Sequence, residues 1–497
     1  MAFKDLRGFI AFLESKGHVA RVAREVDPIL EITEIADRVS KQVGPALVFE
    51  KAKGSQMPVA INLMGSYERM AWALGLGEGE TWSSGELTDA TVLDAVAGRF
   101  MDLVPADMPA RVRDKVGMLL KLNEVAGYRP KEIKGAAPCQ EVVLTGADVD
   151  LGLMPVLKCW PGDAGRFITL GLVHTKHAAT GRQNMGMYRL QVYDRDTTGM
   201  HWHVHHDGAH NFRSALGADV KGFEVAVALG GDPATIYSAT APLPPGFDEH
   251  LFAGFLRGEA LEVVRCKTVD LVVPAHSEIV LEGYVDLEER RSEGPFGDHT
   301  GYYSLADDYP VFHVECMTMR SDPIYATTIV GKPPMEDCYM GKATERIFLP
   351  AVKATCPEVK DMNLPLEGVF HNCAIVSIKK DYPGQAFKVM NTLWGLGQMM
   401  LTKYLIVVDD TVDAQDLSEV AWRCFNNVDP GRDLLMSKGP LDALDHSSPL
   451  WRFGMKMGVD ATKKWPEEGH PREWPDAMEM DPDIRARVDA MWEELGL

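Results

Sequence analysis

Between about residue 138 and residue 320 the chain consists largely of short strand-like runs: EVVLTG, FITLGLVHTKH, MGMYRLQVYD, FEVAVALGG, LEVVRC, EIVLEGYVD and FHVECMTMR. Gly, Pro and Asp break these runs, a pattern that favours a closed or partly closed β-barrel over a parallel doubly wound sheet. One helix, beginning near Asp248 in FDEHLFAGFLRG, interrupts the series. The flanks read differently. Ahead of it, an amphipathic helix with Phe3, Leu6, Ile10 and Leu13 on one stripe precedes the strands ALVFE and PVAINLMG. Helical stretches follow at Tyr67–Leu76 and near Val112–Val125. Behind it come PIYATTIVG, a helix through MEDCYMGKATERIFLPAVKAT, the strand NCAIVSIKK and a long helix from Gln385 to about Lys403. The buried strand YLIVVDD, the helix DLSEVAWRCFNN and a terminal amphipathic helix, DPDIRARVDAMWEELGL, complete the order. Strand–helix alternation of this kind implies a parallel sheet covered by helices. The expectation is an α/β multidomain (α+β) chain divided at 1–115, 116–320 and 321–497.

A length of 497 residues suits roughly three domains. Hydrophobic content of 46% and charged content of 25% are those of an ordinary globular protein. No run of about 20 apolar residues suggests a membrane span, and the N-terminus lacks the features of a signal peptide. A net charge of −21 argues against nucleic acid as a partner. The 8 cysteines form no CxxC pair, which fits reduced thiols. These features place the chain in the cytoplasm as a soluble protein.

The strongest chemical signal is HWHVHHDGAH, which holds His201, His203, His205, His206 and His210. In an extended strand His201, His203 and His205 share one face, while Trp202, Val204 and His206 share the other. Three imidazoles on one face suit zinc, and a histidine-metal hydrolase is one reading; a solvated polar strand is the plain alternative. Just upstream, RQNMGMYRL carries Asn184 and Arg189. Oxygen ligands such as Asn184 and Glu249 with one imidazole favour magnesium or manganese instead. Glu249 also suits the first turn of a helix, and Glu262 in LEVVRC a strand surface. EGPFGDHTGYY brings Glu293, Asp298 and His299 close in sequence. A tight turn there would aim both acids into one cavity, where paired carboxyls push their pKa values apart. An Asx-type turn, with Asp298 accepting from the backbone, accounts equally well for the pattern. Asp409 and Asp410 end a buried strand, more as loop caps than as a ligand crevice.

Taken in order, VDPILEITEIADRV, APCQEVV, KCWPGDAGRFIT, RQNMGMYR, EIVLEGYVD with EGPFGDHTGYY, and KMGVDATKKWP resemble the UbiD family of prenylated-flavin-dependent (de)carboxylases (3-octaprenyl-4-hydroxybenzoate carboxy-lyase-like). The resemblance spans nearly the whole chain. It implies an N-terminal α/β domain, a central split β-barrel of flavin-reductase type and a C-terminal Rossmann-like domain. It also implies prenylated FMN, manganese on Asn184, His205 and Glu249, and a potassium or sodium ion at the backbone of Ser238, Ala239 and Ala241. Met187, Tyr188, Arg189, His201, Trp202, His203 and His206 would touch the cofactor. Glu293, Arg189 and Asp298 would form the catalytic network, with Arg189 orienting a substrate carboxylate and Glu293 protonating carbon. An aromatic acid would be the substrate, of the 3-polyprenyl-4-hydroxybenzoate type in quinone biosynthesis or a dihydroxynaphthoate or other (hetero)aromatic acid. A flavin prenyltransferase would supply the cofactor, and a lipophilic substrate would draw the protein to a membrane surface. Homodimers or homohexamers are implied as well. A flavin-binding module without decarboxylase activity is the rival of a different class, because fold alone does not give function. Two departures stand out. MHWHVHHDG replaces an arginine-rich version common in ubiquinone-pathway members, and Asn427 stands where some members have an arginine near the second ion.

Overall fold

The computed structural model describes residues 2–77, 93–103, 125–203, 207–216, 222–243 and 246–495. Most of the helix expected near Val112–Val125, and His205 and His206, lie outside them. The first helix is Leu6–Ser15, its N-terminus capped by Asp5, whose side chain accepts from Gly8 N. A cap of this kind satisfies a backbone donor that the helix itself leaves open. Leu6, Phe9, Ile10 and Leu13 are buried, so the apolar stripe faces the core.

A small sheet follows, in the order Val19–Val22, Ala46–Phe49, Val59–Ile61 and Tyr325–Ala326. Alternation along its strands divides the interior in two. Ala46, Val48 and Ala60 face the core built on the first helix, whereas Leu47, Phe49, Val59 and Ile61 face the core of the central sheet. Its last strand arrives from beyond residue 320. The helix Glu336–Thr355 likewise inserts Tyr339, Ala343 and Ile347 into the first core.

The central region is a nine-stranded sheet, curled as a half-barrel, in which every pairing is antiparallel. Its backbone is a long hairpin of Ile279–Glu293 with Asp307–Met319. A register shift at Glu282/Gly283 bends the hairpin. Only glycine fits there, because a Cβ on Gly283 would stand 1.9 Å from His313 O. The LEVVRC segment leaves this sheet: Glu262–Arg265 pairs with Val272–Pro274 and Lys131–Glu132 in a separate three-stranded sheet.

The C-terminal sheet runs Val359–Asn363, Cys373–Ile378, Tyr404–Asp409, Phe453–Asp460 and Leu434–Pro440. Its three inner strands are parallel and its edge strands antiparallel. The long helix expected from Gln385 to about Lys403 ends at Leu393 and resumes as a 3-10 turn at Gly397–Leu401. Gly395 and Gly397 account for the break, since glycine is a poor helix former and Gly397 takes φ +40°. The terminal helix, Pro482–Met491, buries none of its residues. No helix among the described residues is long and apolar enough to cross a membrane.

Candidate active site

Three pieces of backbone converge at one end of the curled sheet. The strand Gln183–Met187 pairs Asn184 with Thr175 and runs into Tyr188 and Arg189 before the strand Leu190–Val192. Met187 N donates to Ala239 O (2.9 Å), fastening this stretch to the end of the helix Pro233–Ser238. The hairpin strand terminates at Glu293, and Gly294, at φ +88°, turns the chain. A short ribbon, Phe296–Gly297 with Tyr303–Ser304, then carries Asp298. Asp298 N donates to Tyr302 O (3.0 Å), which closes the loop. Residues five apart on a regular strand point to opposite faces, and this turn brings both acids to one.

Arg189 joins them. Its Nε donates to Glu293 Oε1 (2.8 Å), its Nη2 to Glu293 Oε2 (3.1 Å) and Ser304 Oγ (3.0 Å), and its Nη1 to Asp298 Oδ2 (2.5 Å). The guanidinium also lies over the Phe296 ring, 4.5 Å from its centre. Arg189, Glu293 and Asp298 are all buried. Burial alone would raise Glu293, but the hydrogen bond from His201 and the charge of Arg189 outweigh it and hold the carboxyl below its ordinary range. Asp298 is likewise depressed against burial, by Arg189 and then His299. Both acids are therefore ionised at neutral pH, and every nitrogen of Arg189 is engaged.

His201 and His203 come together here, in irregular chain after the strand Thr197–Gly199. His201 Nδ1 lies 3.0 Å from Glu293 Oε2, and its Nε2 lies 2.6 Å from His203 Nε2. Burial and the nearby Arg189 charge push His201 below its usual pKa, so the neutral ring donates from Nδ1 to the carboxylate. Tyr309 lies against it with ring centres 4.5 Å apart and planes tilted by 33°. Trp202 points the other way, into the core beside Phe212 and Phe223. Met187 packs against the first core and Tyr188 against the second.

A second polar pair sits on the strand that leads to Arg189. Asn184 Nδ2 donates to Glu249 Oε1 (2.8 Å), and Met185 N donates to Glu249 Oε2 (3.1 Å). Glu249 opens the helix Glu249–Arg257 behind its cap Asp248, yet it is only 7% exposed, unlike an ordinary first-turn acid. Burial pushes its carboxyl upward. Asn184 Oδ1 is buried without a hydrogen-bond partner. Ser238, Ala239 and Ala241 lie close by in the chain that receives Met187 N. Among the described residues no three His, Cys, Asp or Glu side chains form a metal cluster.

The remaining sequence candidates stand apart from the site. Glu262, on the separate three-stranded sheet, pairs with His276 (2.7 Å). Asp409 accepts from Lys463 N (2.7 Å), a loop cap, and Asn427 Nδ2 donates to Ala461 O (3.1 Å). Sequence reasoning missed Ser304 and Tyr309 as members of the site. It also missed His371, whose Nε2 lies 2.7 Å from that of His299.

Three family descriptions match consecutive parts of the chain: the N-terminal domain of 3-octaprenyl-4-hydroxybenzoate carboxy-lyase (UbiD) over residues 10–84, its Rift-related domain over 131–333 and its C-terminal domain over 338–461. Over 496 residues the chain is 51% identical to an uncharacterized protein of Archaeoglobus fulgidus, covering 100% of this chain and 99% of that one. Among solved structures it is similar to the vanillic acid decarboxylase of Sedimentibacter hydroxybenzoicus in its closed form. That likeness has a TM-score of 0.84 at 29% identity and covers 100% and 99% of the two chains. The UbiD-class enzyme HmfF of Pelotomaculum thermopropionicum, in complex with FMN, gives a TM-score of 0.79 at 29% identity over 97% and 98%. The fold and the buried site thus define a decarboxylase scaffold. The chain belongs to the UbiD family of carboxy-lyases.

Proposed function

We propose that this chain is a non-oxidative decarboxylase of an aromatic acid that uses prenylated FMN, with the buried Glu293–Arg189–Asp298 network as its catalytic centre. The observation that carries the reading is that network: two ionised acids locked on one arginine at 2.5–3.1 Å inside the protein. HmfF is described with FMN and, in an evolved dimeric form, with prenylated FMN. The modified flavin supplies the electron sink that departure of carbon dioxide from an unsaturated carbon requires and that no side chain provides.

The chain's own residues handle the carboxylate and the proton. An incoming substrate carboxylate competes with Glu293 and Asp298 for the Arg189 fork. Its added negative charge raises Glu293, which then takes up a proton. Carbon dioxide leaves neutral, so the bonding electron pair stays with the ring carbon; with no carboxylate left on its fork, Arg189 pairs with Glu293 again, and Glu293 gives its proton to that carbon. His201 holds Glu293 through its Nδ1–H. Asn184 and Glu249 suit a divalent cation such as manganese, because the orphaned Asn184 Oδ1 beside a buried carboxylate is a pair of hard oxygen donors. His205 is assigned as the third ligand, and Ser238, Ala239 and Ala241 offer backbone oxygens to potassium or sodium. His206 and His203 are assigned to the cofactor wall.

The substrate is proposed to be of the 3-polyprenyl-4-hydroxybenzoate type, with dihydroxynaphthoate or another (hetero)aromatic acid as the alternative. The protein works as a homodimer or homohexamer and takes its cofactor from a flavin prenyltransferase. The vanillic acid decarboxylase has closed and open forms, and this chain matches them at TM-scores of 0.84 and 0.80. We read the arrangement described above as the closed one. The test is co-expression with and without a flavin prenyltransferase, followed by absorbance spectra and carbon dioxide release from candidate acids. Release that requires the prenyltransferase supports the reading. Modified flavin bound with every acid untouched favours a binding module.

A further inference from the structure

The network does not end at Asp298. Asp298 Oδ1 accepts both His299 N (2.8 Å) and His299 Nδ1 (2.9 Å). On the far side of the ring, His299 Nε2 meets His371 Nε2 at 2.7 Å. His371 lies 72 residues later, in the turn Val369–Asn372 that leads into the C-terminal sheet strand Cys373–Ile378. Phe370 from the same turn stacks on His299, 5.2 Å between ring centres. Two consecutive non-glycine residues, Val369 and Phe370, hold φ +45° and +51° to present this face. Such backbone is uncommon outside glycine. Tyr302 of the same active-site turn meets His446 of the C-terminal region at 4.0 Å.

Two Nε2 atoms can share a hydrogen bond only if one carries a proton and the other does not. The surroundings decide which. Asp298, Asp337 and Asp442 face His299, and despite its burial they hold it above the ordinary histidine value. His371 is pushed down to about 4, by burial first and then by the charge of His299, with Asp442, Asp298 and Asp445 opposing. His299 is therefore the imidazolium, donating to Asp298 and to neutral His371. His371 Nδ1 is left buried without a partner.

We propose that His299 and His371 are a positioning pair: the His299 cation fixes Asp298 beneath Arg189, and His371 supplies the acceptor that holds it there only while the C-terminal sheet is docked on the active-site turn. The role, though not the pairing, rests on the function proposed above. The pair reports domain docking to the catalytic acids through three charged side chains, His299, Asp298 and Arg189, while the hydrogen bonds of Arg189 go to Glu293, Asp298 and Ser304 of the central region.

Two measurements on the full chain test this. The first is a pH titration of ¹⁵N-histidine resonances in the flavin-free protein, comparing wild type with His371→Leu and His371→Gln. The expected result is a His299 that stays protonated to higher pH than a free histidine. It should lose its proton at lower pH in His371→Leu and recover in His371→Gln, whose amide oxygen can accept. An unmoved His299 titration in His371→Leu overturns the pairing. The second is the pH profile of the flavin-loaded enzyme. His371→Leu should lower kcat tenfold or more with KM within about twofold and shift the alkaline limb to lower pH, and His371→Gln should restore most of the loss. Equal kcat losses in Leu and Gln with an unmoved limb overturn the positioning role. A wild type inert on every acid contradicts the proposed function and leaves the pairing to be decided by the titration.

Discussion

The Arg189 cluster and the Asn184–Glu249 pair are built on neighbouring residues of one stretch of backbone, Asn184 on the strand Gln183–Met187 and Arg189 just after it, yet they are finished to different degrees. Around Arg189 every charge is answered: Glu293 and Asp298 take its three nitrogens, and both acids are ionised because of it. Around Asn184 one buried oxygen has no partner, and the neighbouring carboxyl is pushed upward by burial. A satisfied buried network is rigid and ready to act on a ligand, whereas a half-satisfied one is costly unless a further group completes it. The first region is therefore built to do chemistry with its own atoms, and the second to receive a cation.

That contrast can be broken first at its catalytic end. Glu293→Gln keeps the shape and removes the proton, so turnover should fall roughly 10²–10⁴-fold while bound flavin is retained; carbon dioxide release and the flavin spectrum measure the two separately. Arg189→Met leaves buried Glu293 with only His201 and buried Asp298 with only His299, and should cost about 3–5 kcal/mol of stability, read as a lowered Tm. The folded values of Glu293 and Asp298 lie below the ordinary ones, so their stabilisation is present above the normal carboxylate range and lost as pH falls through the folded values. The gap in Tm between wild type and Arg189→Met should accordingly narrow on acidification.

The open region has the opposite sign. Glu249 is raised, so its contribution is full below the ordinary glutamate value and lost as pH rises through the folded one. A cation takes the ionised carboxylate, so added manganese should raise Tm more at pH 8 than at pH 5.5. Glu249→Gln should remove that increment; an undiminished increment would move the cation elsewhere. The smallest effect belongs to Glu262→Gln. Its part-buried pairing with His276 should be worth no more than about 1 kcal/mol, with turnover unchanged, and a loss of turnover would mean that the two-region division is wrong.

Much of this arrangement can be read in the chain, and what cannot has a physical cause. Phe3, Leu6, Ile10 and Leu13 recur at helical spacing and are buried as that spacing requires. Gly294 with its neighbours announces the turn that gathers Glu293 and Asp298 onto Arg189. The alternation of His201 and His203 against Trp202 is visible too, since local geometry sets which way each side chain faces. Contacts made only by tertiary docking leave no such trace. His299 and His371 meet because the C-terminal sheet happens to seat its turn there, and no periodicity links them. Tyr309 reaches the site through the register of the long hairpin, which is shifted between Val285 and Arg290, and Ser304 through the short ribbon, where it pairs with Phe296. The apolar pattern after Gln385 continues past Gly395 and Gly397, although the helix itself stops at Leu393.

The central claim is that Glu293, held by Arg189, delivers the proton that replaces carbon dioxide on a substrate carbon. Its most direct test is turnover of an aromatic acid in D₂O by protein made with a flavin prenyltransferase, comparing wild type with Glu293→Gln and locating the deuterium in the product. The account predicts one deuteron at the carbon that lost the carboxyl group in wild type, and neither carbon dioxide nor labelled product above background in the variant. Wild-type rates of release and labelling in Glu293→Gln would contradict it.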